Sequence, residues 1–245
     1  QQRDMQETAA RTTKKRDPEQ LVKNIINVAS LPTIFTKLDE AINDPRKTNK
    51  DFAKIITEDT AMAARLLRIA NSALYNFPSK VETVTHAITV MGTNQLRDLV
   101  LASSVIKLFA NVPEELVSME SFWRHSIACG VSARLIAGLR REPNVERFFL
   151  AGLLHDIGRL ILYMEMAQAM GDVLTQCNQN NELMFRVERE LLGFDHAKIG
   201  GLLLNAWKLP ARLEEAVAYH HAPTNARRYP VEAAMVHIAD IMCHH

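Results

Sequence analysis

The sequence predicts an all-α fold, a two-lobed helical bundle, and three observations carry that prediction. Apolar side chains recur three and four residues apart over most of the chain, the period at which one helix face points inward. No stretch alternates apolar and polar residues over a strand's length, and the Asn-Gly or Asp-Gly dipeptides that close tight hairpins are missing. The breaks between periodic segments have the composition of helix caps and short turns.

Taken in order, residues 1–17 read as a flexible tail, with Arg3, Arg11, Lys14, Lys15 and Arg16 and almost no large apolar side chains. Asp17-Pro18 has the form of an N-cap followed by the first helical residue, and it opens a segment with Leu21, Ile25, Ile26 and Val28 at near-helical spacing. An amino-terminal lobe, residues 18–110, continues through Ile34, Leu38 and Ile42, then Phe52, Ile55 and Ile56, then Met62, Leu66, Leu67 and Ile69. Its turns fall at Asn43-Asp44-Pro45, Thr57 to Thr60, and Phe77 to Lys80. Two further helices, 85–91 and 94–109, are separated by Gly92. Asn71-Ser72-Ala73 reads as a helix C-terminus completed by polar side chains.

A second lobe, residues 111–245, begins near Val112-Pro113. Its expected helices cover 114–139, 145–165, 166–176, 182–192, 196–207, 210–219 and 231–243. Trp123 and Trp207 read as core anchors. Glu165, Glu188 and Glu190 read as solvated helix charges without a role.

Composition narrows the function classes. At 47% hydrophobic and 23% charged residues the chain has the profile of an ordinary globular protein. With 29 basic and 28 acidic residues, no global field draws it to nucleic acid or to a membrane surface, so neither is expected as a partner. Three scattered cysteines, Cys129, Cys177 and Cys243, suggest neither a disulfide framework nor a thiolate zinc site, and buried reduced thiols are expected. No run is long and apolar enough for a membrane span, and the polar opening residues do not resemble a leader. The expectation is a cytoplasmic protein.

The chemistry is concentrated in the second lobe. Five of nine histidines, His125, His155, His196, His220 and His221, lie in or beside apolar helical segments, and the pairs His155-Asp156 and His220-His221 place two ligand types together. One such histidine alone is ordinarily a satisfied core or surface residue. The set is different, because imidazole and carboxylate together suit zinc, iron, manganese or nickel, and a helical bundle builds such a site from one or two inward groups per helix. His86, His237, His244 and His245 fall outside the set, with His237 placed to act behind Asp240, three residues further along.

These residues also carry a resemblance. FWRHS (122–126), LAGLLHDIGRLIL (150–162), ELLGFDHAKIGGLLLNAWKLP (190–210), AVAYHHAP (216–223) and VHIADIM (236–242) resemble the HDOD domain, the HD-related output domain of bacterial signalling proteins. So do LPTIFTKLDEAIND (31–44), the run from Asp59 to Tyr75 with its ANSALY motif, and VETVTHAITVMGTNQLRDLVLAS (81–103). The resemblance covers about residues 20–245. It implies an all-helical fold with an HD-superfamily-like carboxyl-terminal lobe, a role in relaying state to signalling protein partners, and kinship with HD and HD-GYP phosphohydrolases that act on nucleotides and cyclic dinucleotides.

Carried over residue by residue, it implies metal ligands at His125, His155, Asp156, His196, His220, His221 and Asp240, for one or two divalent transition-metal ions (Fe, Mn, Zn or Ni). In a hydrolase, Asp156 would bridge two ions and orient an attacking water, and Arg159 would bind a phosphate oxygen. Two departures weigh against that activity. Arg159 stands where HD-GYP enzymes have lysine, and Ala222-Pro223-Thr224 follows His221 where a Gly-Tyr-Pro element is expected. The sequence therefore points to a signalling module with a His/Asp metal cluster, and a metal-dependent phosphohydrolase of nucleotides or cyclic dinucleotides is the alternative.

Overall fold

A computed structural model describes residues 17–28, 31–73, 75–110, 112 and 116–244, and among the described residues every regular element is a helix. Most of the expected tail, the lobe boundary at Pro113 and His245 lie outside the described residues.

Helices α1 (Pro18–Val28), α2 (Thr33–Ile42), α3 (Asn49–Thr57), α4 (Thr60–Ala70), α5 (Val84–Met91) and α6 (Thr93–Leu108) make up the amino-terminal part. Three of their starts are capped by the side chains that the turn chemistry offers. The Asp17 carboxylate accepts from Glu19 N at 3.0 Å, Asp59 from Met62 N at 2.9 Å, and the Thr83 hydroxyl from His86 N at 3.0 Å. Asn71 ends α4 by donating to the Leu67 carbonyl, and it pairs with both N–H and C=O of Val81, each at 2.8 Å, which closes the intervening loop. Gly92, at φ +87°, makes the sharp turn between α5 and α6.

The carboxyl-terminal part comprises α7 (Met119–Leu139), α8 (Glu146–Leu154), α9 (Ile157–Glu165), α10 (Ala167–Asn180), α11 (Met184–Leu192), α12 (His196–Ala206), α13 (Ala211–Ala218), a 3₁₀ turn (Pro223–Asn225) and α14 (Pro230–Cys243). Helix α7 packs along both α8 and α14, α9 against α12, and α12 against α13. Helix α6 packs on α8, and α1 lies across α9 and α12. One contiguous core joins the two parts, from Leu38, Ile56, Leu96 and Val100 to Leu154, Ile161, Leu203 and Val217, all fully buried. Removing this apolar surface from water is the main stabilising force.

The structure corrects the expected helix 145–165, which is two helices broken at His155-Asp156. The apolar period runs straight through this point, so periodicity alone reads one helix. The break comes from a side chain. His155 Nδ1 donates to the Gly152 carbonyl at 2.7 Å, occupying an acceptor that a continuous helix gives to the N–H of residue 156. The chain turns there, and His155 and Asp156 are presented at a joint rather than along a helix flank. The helix expected from residue 114 starts at Met119, capped by Ser118.

Candidate metal centre

Five elements bring the ligand-type side chains together. His125 comes from α7, His155 and Asp156 from the α8–α9 joint, His196 from the first turn of α12, His220 and His221 from the end of α13, and Asp240 from α14. Two close crossings set the separations. A Cβ on Gly152 would lie 2.8 Å from the Cys129 backbone, so α8 meets α7 only because that residue has none. A Cβ on Gly158 would lie 2.0 Å from the His196 carbonyl oxygen, so the same holds where α9 meets α12.

The seven residues singled out in the sequence converge. Asp156 Oδ1 sits 3.1 Å from His196 Nε2, 3.4 Å from His155 Nε2 and 3.8 Å from His220 Nε2. Asp240 Oδ1 is 3.2 Å from His125 Nε2 and 3.3 Å from His155 Nε2, and His221 Nε2 faces His196 Nε2 at 2.8 Å. Ligand atoms of His196, His220 and His221 lie within 4.8 Å of one another, as do those of His155, Asp156 and His220, and those of His125, His155, Asp240 and Cys129. His155, Asp156, His196, His220 and Asp240 are buried, while His125 and His221 are partly exposed. Phe185 stacks on the His221 ring at 4.2 Å.

Three tethers aim the imidazoles. His155 Nδ1 is bound to the Gly152 carbonyl, His220 Nδ1 to the Val217 carbonyl at 2.7 Å, and His196 Nδ1 to Glu188 Oε2 at 2.6 Å. A carbonyl can only accept, so Nδ1 of His155 and of His220 carries the proton, and in the neutral ring Nε2 turns a lone pair inward. Both of those Nε2 atoms are buried and make no hydrogen bond. Inward lone pairs facing carboxylate oxygens are arranged as a cation needs them, with the outer ring nitrogen tied to an acceptor as metal-bound histidines usually are. The donor set fits a divalent ion.

Burial disfavours a charged His196, but Glu188 and Asp156 outweigh it and hold the ring protonated well above the ordinary histidine range. His155 is raised in the same way by Asp156 and Asp240 against its burial. Burial, with the charge of His155 and His196 beside it, pushes His220 down to about 3, and burial with His220 and His196 depresses His221 further. Both carboxylates sit below their usual range: despite burial, Asp156 is held there by His155, Arg159 and His196, and Asp240 by His125, His155 and His244. Arg159 Nη1 donates to Asp156 Oδ2 at 2.6 Å and Nη2 to the Tyr163 hydroxyl at 3.3 Å, so this guanidinium is engaged inside the cluster.

Three participants escaped the sequence reading. Glu188, read as a solvated charge, is fully buried and receives both the backbone N–H of His196 at 2.9 Å and its Nδ1. Its signal was a carboxylate at the centre of the Met184, Glu188, Leu192 stripe. His244, set aside as terminal, places Nδ1 3.0 Å from Asp240 Oδ1, and that carboxylate pushes it up to about 9. Cys129, read as an inert thiol, lies with Sγ 3.5 Å from His125 Nε2. Spacing of four residues, from His125 to Cys129 and from Asp240 to His244, was the available sign. His237, placed behind the cluster, has Nδ1 2.7 Å from the His220 carbonyl.

Fold and site together define an all-helical protein with an HD-type His/Asp cluster. The HDOD domain profile matches residues 28–223, and the chain belongs to the HDOD domain family. Among solved structures it resembles an HDOD domain protein of unknown function from Geobacter sulfurreducens, at 25% identity and TM-score 0.77 over 92% of this chain and 77% of that one. It likewise resembles a protein of Shewanella amazonensis SB2B named provisionally as a phosphohydrolase, at 27% identity and TM-score 0.77 over 91% and 79%. An uncharacterised protein of Treponema pallidum (strain Nichols) is 22% identical over 82% of this chain and 39% of its own length, so the chain spans less than half of that curated relative. Among the described residues no helix is long and apolar enough to cross a membrane.

Proposed function

We propose that this chain is a signalling output module of bacterial, cytoplasmic type. Its His/Asp cluster binds one or two divalent transition-metal ions and fixes the packing of α7, α8, α9, α12, α13 and α14. The observation that carries the metal is the pair of buried Nε2 atoms, His155 and His220, each pointed inward by a tethered Nδ1 and left without a hydrogen bond. His125, His155, Asp156, His196, His220, His221 and Asp240 are its ligands.

Two features favour a module over an enzyme. Arg159, the group that would grip a phosphate, is occupied by Asp156 and Tyr163. Helices α7 and α14, which carry His125 and Asp240, also bear seven of the eleven large hydrophobic side chains that stand exposed among the described residues, including Leu135, Leu139, Ile238 and Met242. Apolar surface of that kind belongs to proteins that engage partners, here signalling proteins. The hydrolase alternative keeps one specific support, a full ligand set together with likeness to Shewanella proteins named provisionally as phosphohydrolases.

Elemental analysis of the purified protein beside His155→Ala and Asp156→Ala tests the reading. The parent holds a transition metal and both variants lose it; a metal-free parent that takes up none on reconstitution ends the proposal. Incubating the loaded protein with cyclic dinucleotides and generic phosphoesters leaves them intact, and a metal-dependent product would establish the hydrolase instead.

A further inference from the structure

We propose that Cys129 is a metal ligand, supplying a thiolate to the ion held by His125, His155 and Asp240, so that this half of the centre is a two-nitrogen, one-oxygen, one-sulfur site. The proposal rests on the metal-centre reading above and adds to it a donor that the HD pattern does not contain.

Three distances carry it. A tetrahedral ion with ordinary zinc bond lengths separates its ligands by about 3.4 Å for nitrogen and oxygen and about 3.6 Å for nitrogen and sulfur. His125 Nε2 to Asp240 Oδ1 is 3.2 Å, His155 Nε2 to Asp240 Oδ1 is 3.3 Å, and His125 Nε2 to Cys129 Sγ is 3.5 Å. Three of the six edges thus match such a tetrahedron, and all four ligand atoms lie within 4.8 Å of one another. A second observation is independent of the cysteine: His155 Nε2 is fully buried, lies 3.3 and 3.4 Å from the Oδ1 atoms of Asp240 and Asp156, and hydrogen-bonds to neither.

Local structure places the thiol there. Cys129 lies one turn after His125 on the face of α7 that meets α8 and α14, and it is fully buried. Along α14 it also meets the Ala239 carbonyl, at a weak 3.9 Å, and the Cys243 thiol. On binding, the S–H bond breaks, the sulfur electron pair forms the bond to the ion, and the proton leaves to solvent; no oxidation state changes. A thiolate also selects among the candidate ions, favouring zinc and ferrous iron over manganese.

Cobalt(II) is the probe. Titrating the metal-free full chain produces visible ligand-field bands and a sulfur-to-cobalt charge-transfer band in the near ultraviolet. Cys129→Ser abolishes the charge-transfer band, and Cys177→Ser and Cys243→Ser keep it. Zinc affinity of Cys129→Ser falls about tenfold or more, a loss of the size that even supporting residues of metal sites produce. Visible bands without a charge-transfer band in the parent, or a band that survives Cys129→Ser, overturns the thiolate and leaves the imidazole–carboxylate centre standing. A parent that binds no cobalt, zinc or iron overturns both. A parent spectrum without the charge-transfer band decides against the thiolate even if a variant fails to fold.

Discussion

The two halves of the cluster are held in different ways. On one side His196 and His220 are tied through Nδ1 to Glu188 and to the Val217 carbonyl, and both are buried. On the other, the His125 ring contacts Asp240 and Cys129 within the cluster itself, its side chain is 19% exposed, and it adjoins His244, whose side chain is 56% exposed. The first half is braced throughout by residues outside the cluster, whereas the second has one such brace, His155 to the Gly152 carbonyl, and leaves His125 to the cluster's own members. Bracing of the first kind fixes geometry before any ion arrives, whereas the second half has an edge to solvent through which an ion and its displaced protons can pass.

The strongest way to break this arrangement is to remove both halves together. Gly158→Ala puts a methyl group 2.0 Å from the His196 carbonyl oxygen, so α9 and α12 must separate. We expect destabilisation of about 3 kcal/mol or more and loss of metal from the whole centre, read by denaturant unfolding and elemental analysis. Unchanged stability would show that the crossing is not close in solution.

A change at Glu188 breaks one half alone. Glu188→Gln removes the charged acceptor of His196 Nδ1 and the carboxylate that receives its backbone N–H. Metal affinity at the His196, His220 and His221 half should fall about 10–100-fold, while the cobalt–sulfur signal of the other half persists. Equal loss in both halves would mean that the two are one cooperative unit.

The smallest expected effect sharpens the contrast by leaving the cluster. Asp98, half-buried on α6, shares the Arg97 guanidinium, 3.3 Å away, with Asp39 at 3.5 Å. No imidazole compensates it: burial pushes its carboxyl up to about 6 although Arg97 pulls the other way, opposite to the direction of Asp156 and Asp240. A raised folded pKa means that the folded state holds the proton more tightly than the unfolded one. Its stabilising contribution is therefore complete below about pH 4 and is lost as pH rises to about 6. Asp98→Asn should flatten the slope of stability between those limits in chemical denaturation at stepped pH. An unchanged slope assigns it to other groups.

The helices were legible because their signals are local. Asp17, Asp59 and Thr83 cap where their types predict, and Leu38, Leu66, Leu96 and Val100 fall on buried faces set by the apolar period. The convergence of the seven side chains was legible because imidazoles embedded in apolar segments have few other reasons to gather. What escaped depends on contacts between distant segments. The break at His155 is set by a side-chain bond that leaves the period intact. Glu188 resembles any helix glutamate until α11 docks beside α12, and Cys129 resembles any core thiol until α7 meets α14.

The bonds from His155 Nδ1 to the Gly152 carbonyl and from His220 Nδ1 to the Val217 carbonyl span three residues each. Each ring is thus oriented by its own chain end, much as a compass needle keeps its bearing when the case is moved. If α8 and α13 shift against one another, the two bearings survive and only their separation changes, so the distance between the two halves of the cluster follows the spacing of the helices.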